Sequence, residues 1–232
     1  MREWTRVTRE GGVGAARVYA DGEQVFARGD PASHVYFLRE GSVEIVQRSS
    51  AGAAIVVKIL VGPTLFGAIE PLASEPAFLE TVRVLSRAVV HAMPTAKYLA
   101  LLESRPHLAF ESLIDTARAF CVAARFESSR LDDTEALLAN LLLAYVELFG
   151  VDDGERVRIE LRRTQADLAD AIGAGERSVN RILTAWERDG VLVKTKGNHV
   201  IARADFLVER AGDLYGSLVH RWATPTAVAN VG

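Results

Sequence analysis

The sequence predicts an α+β chain: an antiparallel β domain, then a long helix, then a helical domain carrying a β-hairpin. Three observations predict it. Short apolar runs separated by turn signals fill residues 17–93. A helical period takes over after Pro94 and persists to about residue 130. Two short amphipathic helices then flank a Gly-Ala-Gly break at 173–175, and a hairpin pattern follows them.

In the first region the runs YADGEQVF, ARGDPASHVYFL, REGSVEIV, IVVKILVGPTLFG and TVRVLSRAVVHAMP are punctuated by DG, RGDP, EG and VGP. Turn signals about ten residues apart suit an antiparallel roll or sandwich. VYFLREGSVEIV is the clearest piece, with a turn expected at Glu40-Gly41.

TAKYLALLESRP reads as a short helix ended by Pro106, and the helical pattern resumes from His107 to about Arg130. Phe110, Ile114, Ala117, Cys121 and Ala124 recur at alternating steps of four and three, the seam of a short coiled coil between two copies. A helix packed on its own domain also fits that spacing. LDDT at 131–134 breaks the pattern. Asp132 or Asp133 is the expected N-cap of the next helix, EALLANLLLAYVELFG, which Gly150 and VDDGE end. The domain boundary is expected near 130–134, giving segments 1–106, 107–131 and 132–232.

Composition bounds the function. Of 232 residues 49% are apolar and 25% charged, so a packed core is within reach and global disorder is not expected. The net charge is −3, and from residue 151 onward acids and bases balance. Neither half has the basic excess of a nonspecific nucleic-acid binder, so any DNA contact must come from a local cluster. The single cysteine, Cys121, cannot form an intrachain disulfide, a zinc site or an iron–sulfur cage. MREWTRVTRE lacks a signal-peptide core, and no apolar run approaches the roughly 20 residues of a membrane helix. The expected compartment is the cytoplasm, with no membrane partner.

That cluster lies in TQADLADAIGAGERSVNRILTAWERDGVL, residues 164–192. Thr164 with Asp167 three residues on predicts a capping-box start. The first helix runs through Leu168, Ala169 and Ile172 and breaks at the glycines. The second buries Val179, Ile182, Leu183 and Trp186 at helical spacing. VLVKTKG and HVIAR then read as two short strands around a Lys-Gly-Asn turn. Two short helices across a glycine turn, followed by a hairpin, predict a winged helix-turn-helix. The outward face of the second helix holds Arg177, Ser178, Asn180, Arg181 and Thr184. Arginine pairs with guanine O6 and N7, asparagine with adenine, and hydroxyls reach phosphate or base edges. Arg162, Arg163, Gln165, Lys194 and Lys196 are expected on the phosphate backbone to either side.

VYFLREGSVEI (35–45), PTLFG (63–67), LDDT (131–134) and TQADLADAIGAGERSVNRIL…WERDGVL (164–192) together resemble the CRP/FNR family of bacterial transcription regulators. The resemblance spans about residues 17–205. It implies an N-terminal antiparallel β-roll, a long dimerisation helix and a C-terminal winged helix-turn-helix. It implies a homodimer on a pseudo-palindromic double-stranded DNA site, with RNA polymerase as a further partner. Arg177 and Arg181 then fall at base-reading positions and Asn180 at a specificity position. The family's activator has Arg-Glu where this chain reads Glu176-Arg177, so a different half-site is expected.

Cyclic-nucleotide-binding members of that family hold the cyclic phosphate with a glycine-led turn and an Arg-Ser pair, and the ribose with a glutamate. Here the glutamate falls at Ala68, the Arg-Ser pair at about Phe78-Leu79, and the helix residues that meet the adenine at about Cys121-Val122. Phe78 and Leu79 cannot neutralise a phosphate, and Glu80 would repel one. cAMP is therefore not expected as effector. Two readings stay open: an apolar or uncharged ligand lined by Phe66, Gly67, Ala68, Ile69, Leu72, Phe78 and Leu79, or no effector, with those residues filling the space.

The cysteine quartet of iron–sulfur members is absent, and the five histidines have no ligand spacing, so no metal or cofactor is expected. No GxSxG, Walker loop or HExxH occurs, and the chain is not expected to be an enzyme. The rival reading is a regulatory, protein-interaction module whose winged helix docks protein rather than DNA.

Overall fold

The computed structural model describes residues 2–9, 14–48, 54–129, 133–154, 156–195 and 198–221. Its packing divides the chain into two units: Met1–Gln47, Lys58–Cys121 and His220–Gly232 form one, Arg48–Val57 and Val122–Val219 the other.

The first unit opens with helix α1 (Arg2–Arg9) and continues through β1 (Ala16–Tyr19), β2 (Gln24–Phe26), β3 (His34–Arg48) up to Gln47, β4 (Ala54–Val61) from Lys58, β5 (Thr64–Phe66), α2 (Ile69–Leu72), β6 (Thr81–Pro94), α3 (Thr95–Ser104) and α4 (Pro106–Ser129) as far as Cys121. Its sheet runs β1-β6-β3-β4, with β2 also on β6 and β5 also on β3, and a late strand β11 (Val219–Arg221) on the edge of β4. β1, β2 and β3 pair antiparallel with β6, and β5 pairs antiparallel with β3.

The expected turn at Glu40-Gly41 is absent. β3 runs through it as one strand paired with β6 from His34↔Pro94 to Val46↔Thr81, with register shifts between Leu38 and Val43. Gly41 takes φ +89°, and a Cβ there would run into the Arg87 carbonyl oxygen. The glycine therefore permits a bulged crossing of two long strands rather than a reversal. Trp4 and Val7 of α1 bury against Val35, Phe37, Leu65, Met93, Tyr98 and Leu108, with the Trp4 and Tyr98 rings stacked 5.6 Å apart. α1 has no counterpart among the sequence expectations, since eight mostly polar residues carry too few apolar positions to show a period. Pro106 does end α3, and it is also the first residue of α4, where its missing N–H costs nothing.

In the second unit α5 (Thr134–Phe149) is capped by Asp133, whose carboxylate accepts from Glu135 N at 2.8 Å. Leu138, Leu141, Leu142, Leu143 and Tyr145 are all buried, as befits a helix apolar on nearly every side. Asn140 is buried too and donates to Ser217 Oγ at 3.0 Å. VDDGE does more than end α5. Its first three residues form β7 (Gly150–Asp153) with Gly150, antiparallel to β8 (Arg156–Ile159), and both join β9 (Leu192–Thr195) and β10 (Asn198–Ile201) in a sheet ordered β7-β8-β10-β9. α6 (Gln165–Ile172) and α7 (Glu176–Arg188) lie between the hairpins in sequence, and α8 (Ala204–Ala211) packs on α5. Among the described residues no helix is long and apolar enough to cross a membrane.

Candidate nucleic-acid interface

Thr164 and Asp167 close both halves of the capping box: Asp167 N donates to Thr164 Oγ1 at 3.1 Å, and Thr164 N to Asp167 Oδ2 at 2.7 Å. Two orphan N–H groups at the start of α6 are thereby satisfied. Gly173 ends α6 with φ +67°, the left-handed cap that a side chain resists. Gly175 then caps α7, accepting from Ser178 N at 2.9 Å. The chain reverses within three residues, and α7 is laid across α6.

α7 buries Val179, Ile182, Leu183 and Trp186, the four positions its spacing predicts. Trp186 meets Phe206 of α8 edge-on at 6.1 Å. Packing of that face leaves Arg177, Asn180, Arg181 and Thr184 exposed, with Ser178 half-buried beside them. Thr164 and Arg162 are exposed, and Arg163 and Gln165 half-buried. Gln165 reaches the exposed face of α7: its Nε2 donates to Asn180 Oδ1 at 3.1 Å, and Thr184 Oγ1 donates to the same oxygen at 3.4 Å. Lys194 lies on β9, paired in register with His199 of β10. Lys196 and the turn of that hairpin fall outside the described residues.

The residues grouped as an effector pocket part company. Phe66 and Phe78 are buried in one aromatic cluster with Phe26 and Tyr36, and Phe78 is only 2% exposed. Gly67 sits under that cluster, where a Cβ would lie 3.2 Å from both Phe26 and Phe78. Ala68 packs against the core around Trp4. Ile69, Leu72 and Leu79 face solvent instead, Leu79 at 54% exposure. Cys121 is exposed, and the Val122 side chain lies outside the described residues. The Leu79 amide donates to Oε1 of the buried Glu70 at 3.1 Å.

Glu80, singled out in the sequence, lies among further polar groups of the same unit. Glu80 accepts from Gln47 Nε2 at 2.7 Å, and burial pushes its carboxyl above the usual range, with Glu70 adding to the rise. Burial likewise pulls the Lys58 ammonium below its usual range, while Asp115 and Glu80 oppose that shift. His220 of β11 lies 2.7 Å from Asp115 of α4. Arg83 is engaged elsewhere, paired with the buried Glu44 directly across the β3–β6 ladder. These groups come from strands and helices far apart in sequence, so no spacing advertised them. Among the described residues no three His, Cys, Asp or Glu side chains are grouped to hold a metal.

On α4 the exposed stripe is Phe110, Leu113, Ala117, Phe120 and Cys121, with Phe120 at 74% exposure. Ile114, assigned to the seam by spacing, is half-buried, so the stripe is turned by about one residue from its expected line. Ala124 has no described side chain.

Comparison with known proteins adds to this geometry. Residues 16–105 match the family described as Cyclic nucleotide-binding domain, and residues 137–210 the family described as Crp-like helix-turn-helix domain. The chain is 32% identical over 187 residues to the HTH-type transcriptional regulator Cmr of Mycobacterium tuberculosis, covering 81% of this chain and 71% of that protein. It is 26% identical over 200 residues to the CRP-like cAMP-activated global transcriptional regulator of Mycobacterium tuberculosis, covering 82% of this chain and 85% of that protein. A solved structure of the c-di-GMP responsive global regulator CLP of Xanthomonas campestris superposes with a TM-score of 0.74 at 18% identity, covering 85% of this chain and 98% of that one.

Proposed function

The chain belongs to the CRP/FNR family of transcription regulators, a DNA-binding regulator of that type, and from this premise we propose that it binds DNA as a homodimer without cAMP. Segment 1–106 is the sensor-like roll, 107–131 the dimerisation helix and 132–232 the DNA-binding domain. Arg177, Asn180 and Arg181 of α7 read base edges in the major groove. Ser178, Thr164, Arg163, Gln165, Lys194 and Lys196 hold the phosphate backbone around them.

The observation that carries the DNA half of this reading is the polarity of α7. Its four apolar residues are buried, and the face they leave open gathers two arginines, an asparagine and a threonine. Such a face, on an acidic chain, concentrates donors where a groove needs them and limits nonspecific affinity elsewhere. Dimerisation is supported by the apolar stripe on α4, whose Phe110, Leu113 and Phe120 are exposed in the single chain.

Independence from cAMP is supported by what stands in the roll. Phe78 occupies the position where the family's phosphate arginine is expected, and its ring is stacked on Phe26. Glu70 and Glu80 bring carboxyl groups to the same segment. A cyclic phosphate there would lose its hydration beside two carboxyl groups, and neither Phe78 nor Leu79 can neutralise it. The aromatic cluster favours a filled roll over a ligand cavity. No catalytic role is part of this reading. Contact with RNA polymerase and residence in the cytoplasm rest on family membership.

Fluorescence anisotropy of the protein on DNA from upstream of its own gene, at fixed salt with and without millimolar cAMP, tests both halves. The expected result is tight binding that cAMP leaves unchanged. Tightening of about tenfold or more would overturn cAMP independence. Absence of any preferred sequence in a random DNA pool would overturn the assignment of α7 as the reading helix.

A further inference from the structure

The amide of Asn180 is held from one side. Its Oδ1 accepts from Gln165 Nε2 at 3.1 Å and from Thr184 Oγ1 at 3.4 Å. A carbonyl oxygen has two lone pairs; the Gln165 bond takes one, and the longer Thr184 contact lies against the other. Among the described residues Asn180 Nδ2 has no acceptor. Both partners are themselves well placed. Gln165 is the first residue of α6, directly behind the capping box that sets the α6 backbone. Thr184 follows Asn180 by one helical turn on the same exposed face of α7.

An asparagine reads adenine by giving one N–H to N7 and taking one from N6 through its oxygen. Here the oxygen is already committed, so that two-way pair would cost both intramolecular bonds. What Asn180 offers the groove is donors alone. We propose that Gln165 is a positioning residue which turns Asn180 into a donor-only reader, selecting an acceptor edge (guanine O6/N7 or thymine O4) and disfavouring adenine. The inference rests on α7 being the reading helix, and it replaces the asparagine–adenine pairing that residue type alone suggests.

A chemical reversal tests it. A glutamate at position 165 has acceptors only, so the Asn180 amide must turn its Nδ2 toward α6 and its Oδ1 toward the groove. Binding sites are selected from a random DNA pool by the full-length wild type, Asn180→Ala, Gln165→Leu and Gln165→Glu. Asn180→Ala identifies the operator position that Asn180 reads, by loss of preference there. At that position the wild type is expected to favour guanine or thymine over adenine by about tenfold. Gln165→Leu is expected to flatten the preference, and Gln165→Glu to move it toward adenine or cytosine, whose amino groups donate. Other operator positions keep their preferences, which a merely destabilised domain or a lost phosphate contact would also do, but neither of those reverses one base. Wild-type preference for adenine, or an unchanged base preference in Gln165→Glu, would overturn the inference alone. No enriched sequence for the wild type would overturn it together with the reading beneath it.

Discussion

Phe26 and Phe78 lie ring on ring, centroids 3.8 Å apart and planes within 18°. Phe78 reaches this position from the segment between α2 and β6, and its backbone is pinned on both sides: its N–H donates to Asp30 O at 2.9 Å, and its carbonyl accepts from Gly29 N at 2.8 Å. The ring therefore fills the roll as part of the structure.

Truncating it should be costly. Phe78→Ala is expected to destabilise the protein by about 3–5 kcal/mol, the usual cost of removing a buried phenyl ring. Chemical denaturation checks this as a shift of the midpoint at constant slope. Phe78→Arg should not rescue cAMP binding, because Glu70 and Glu80 remain. Millimolar cAMP should leave the Tm of wild type and Phe78→Arg unchanged.

Arg177→Ala with Arg181→Ala should abolish sequence preference while the helix itself stays folded, since both side chains are exposed and Val179, Ile182 and Trp186 still bury the opposite face. Each lost base contact should cost about 1–3 kcal/mol of discrimination. Anisotropy on a selected site and on scrambled DNA separates that loss from a general fall in affinity.

Glu80 should make stability pH-dependent. Burial is the main cause that raises its carboxyl above the ordinary 4.5, with Glu70 adding to the rise, while Gln47 and Lys58 pull it down. The native state thus keeps the proton at pH values where the unfolded chain has lost it. Stability from this group is full below about 4.5 and falls as pH rises through the raised value. Lys58 works the other way: its ammonium is lowered, so its contribution is lost as pH falls from above 10.5 through the depressed value. Glu80→Gln keeps an acceptor for Gln47 and removes the buried charge. Thermal unfolding from about pH 5 to about pH 8 should show a smaller loss of Tm in the variant than in wild type.

The α4 stripe should govern assembly. Phe110→Asp with Phe120→Asp places two charges where exposed rings now stand. Sedimentation should show the wild type as a dimer and the variant as a folded monomer, with binding to a palindromic site weakened far more than binding to a half-site.

Local signals decided much of this. The Thr164–Asp167 box, the glycine turn and the apolar spacing of α7 are short-range devices, each readable within one or two helical turns, and each stands where the residues say. Asp133 at the start of α5 is another. So is the break at Pro106, though the same proline also starts α4.

What spacing could not decide was set by partners far away in sequence. Gly41 looked like a hairpin turn, but its strand is held straight through by β6, forty or more residues on. Leu79 looked like a pocket residue and faces water, while its amide is held by the Glu70 carboxylate nine residues earlier. The α4 stripe is turned from its predicted line because the roll buries Leu108 and Ser112 on the other side. Asn180 suggests an adenine partner by residue type, and only the fold brings Gln165 of α6 to its oxygen. Periodicity and capping are properties of neighbouring residues, so the sequence by itself determined the helices α5 to α7 and the polarity of α7. Which face of each element is covered, and which way each amide points, depends on groups that only folding brings together, and those the tertiary structure decided.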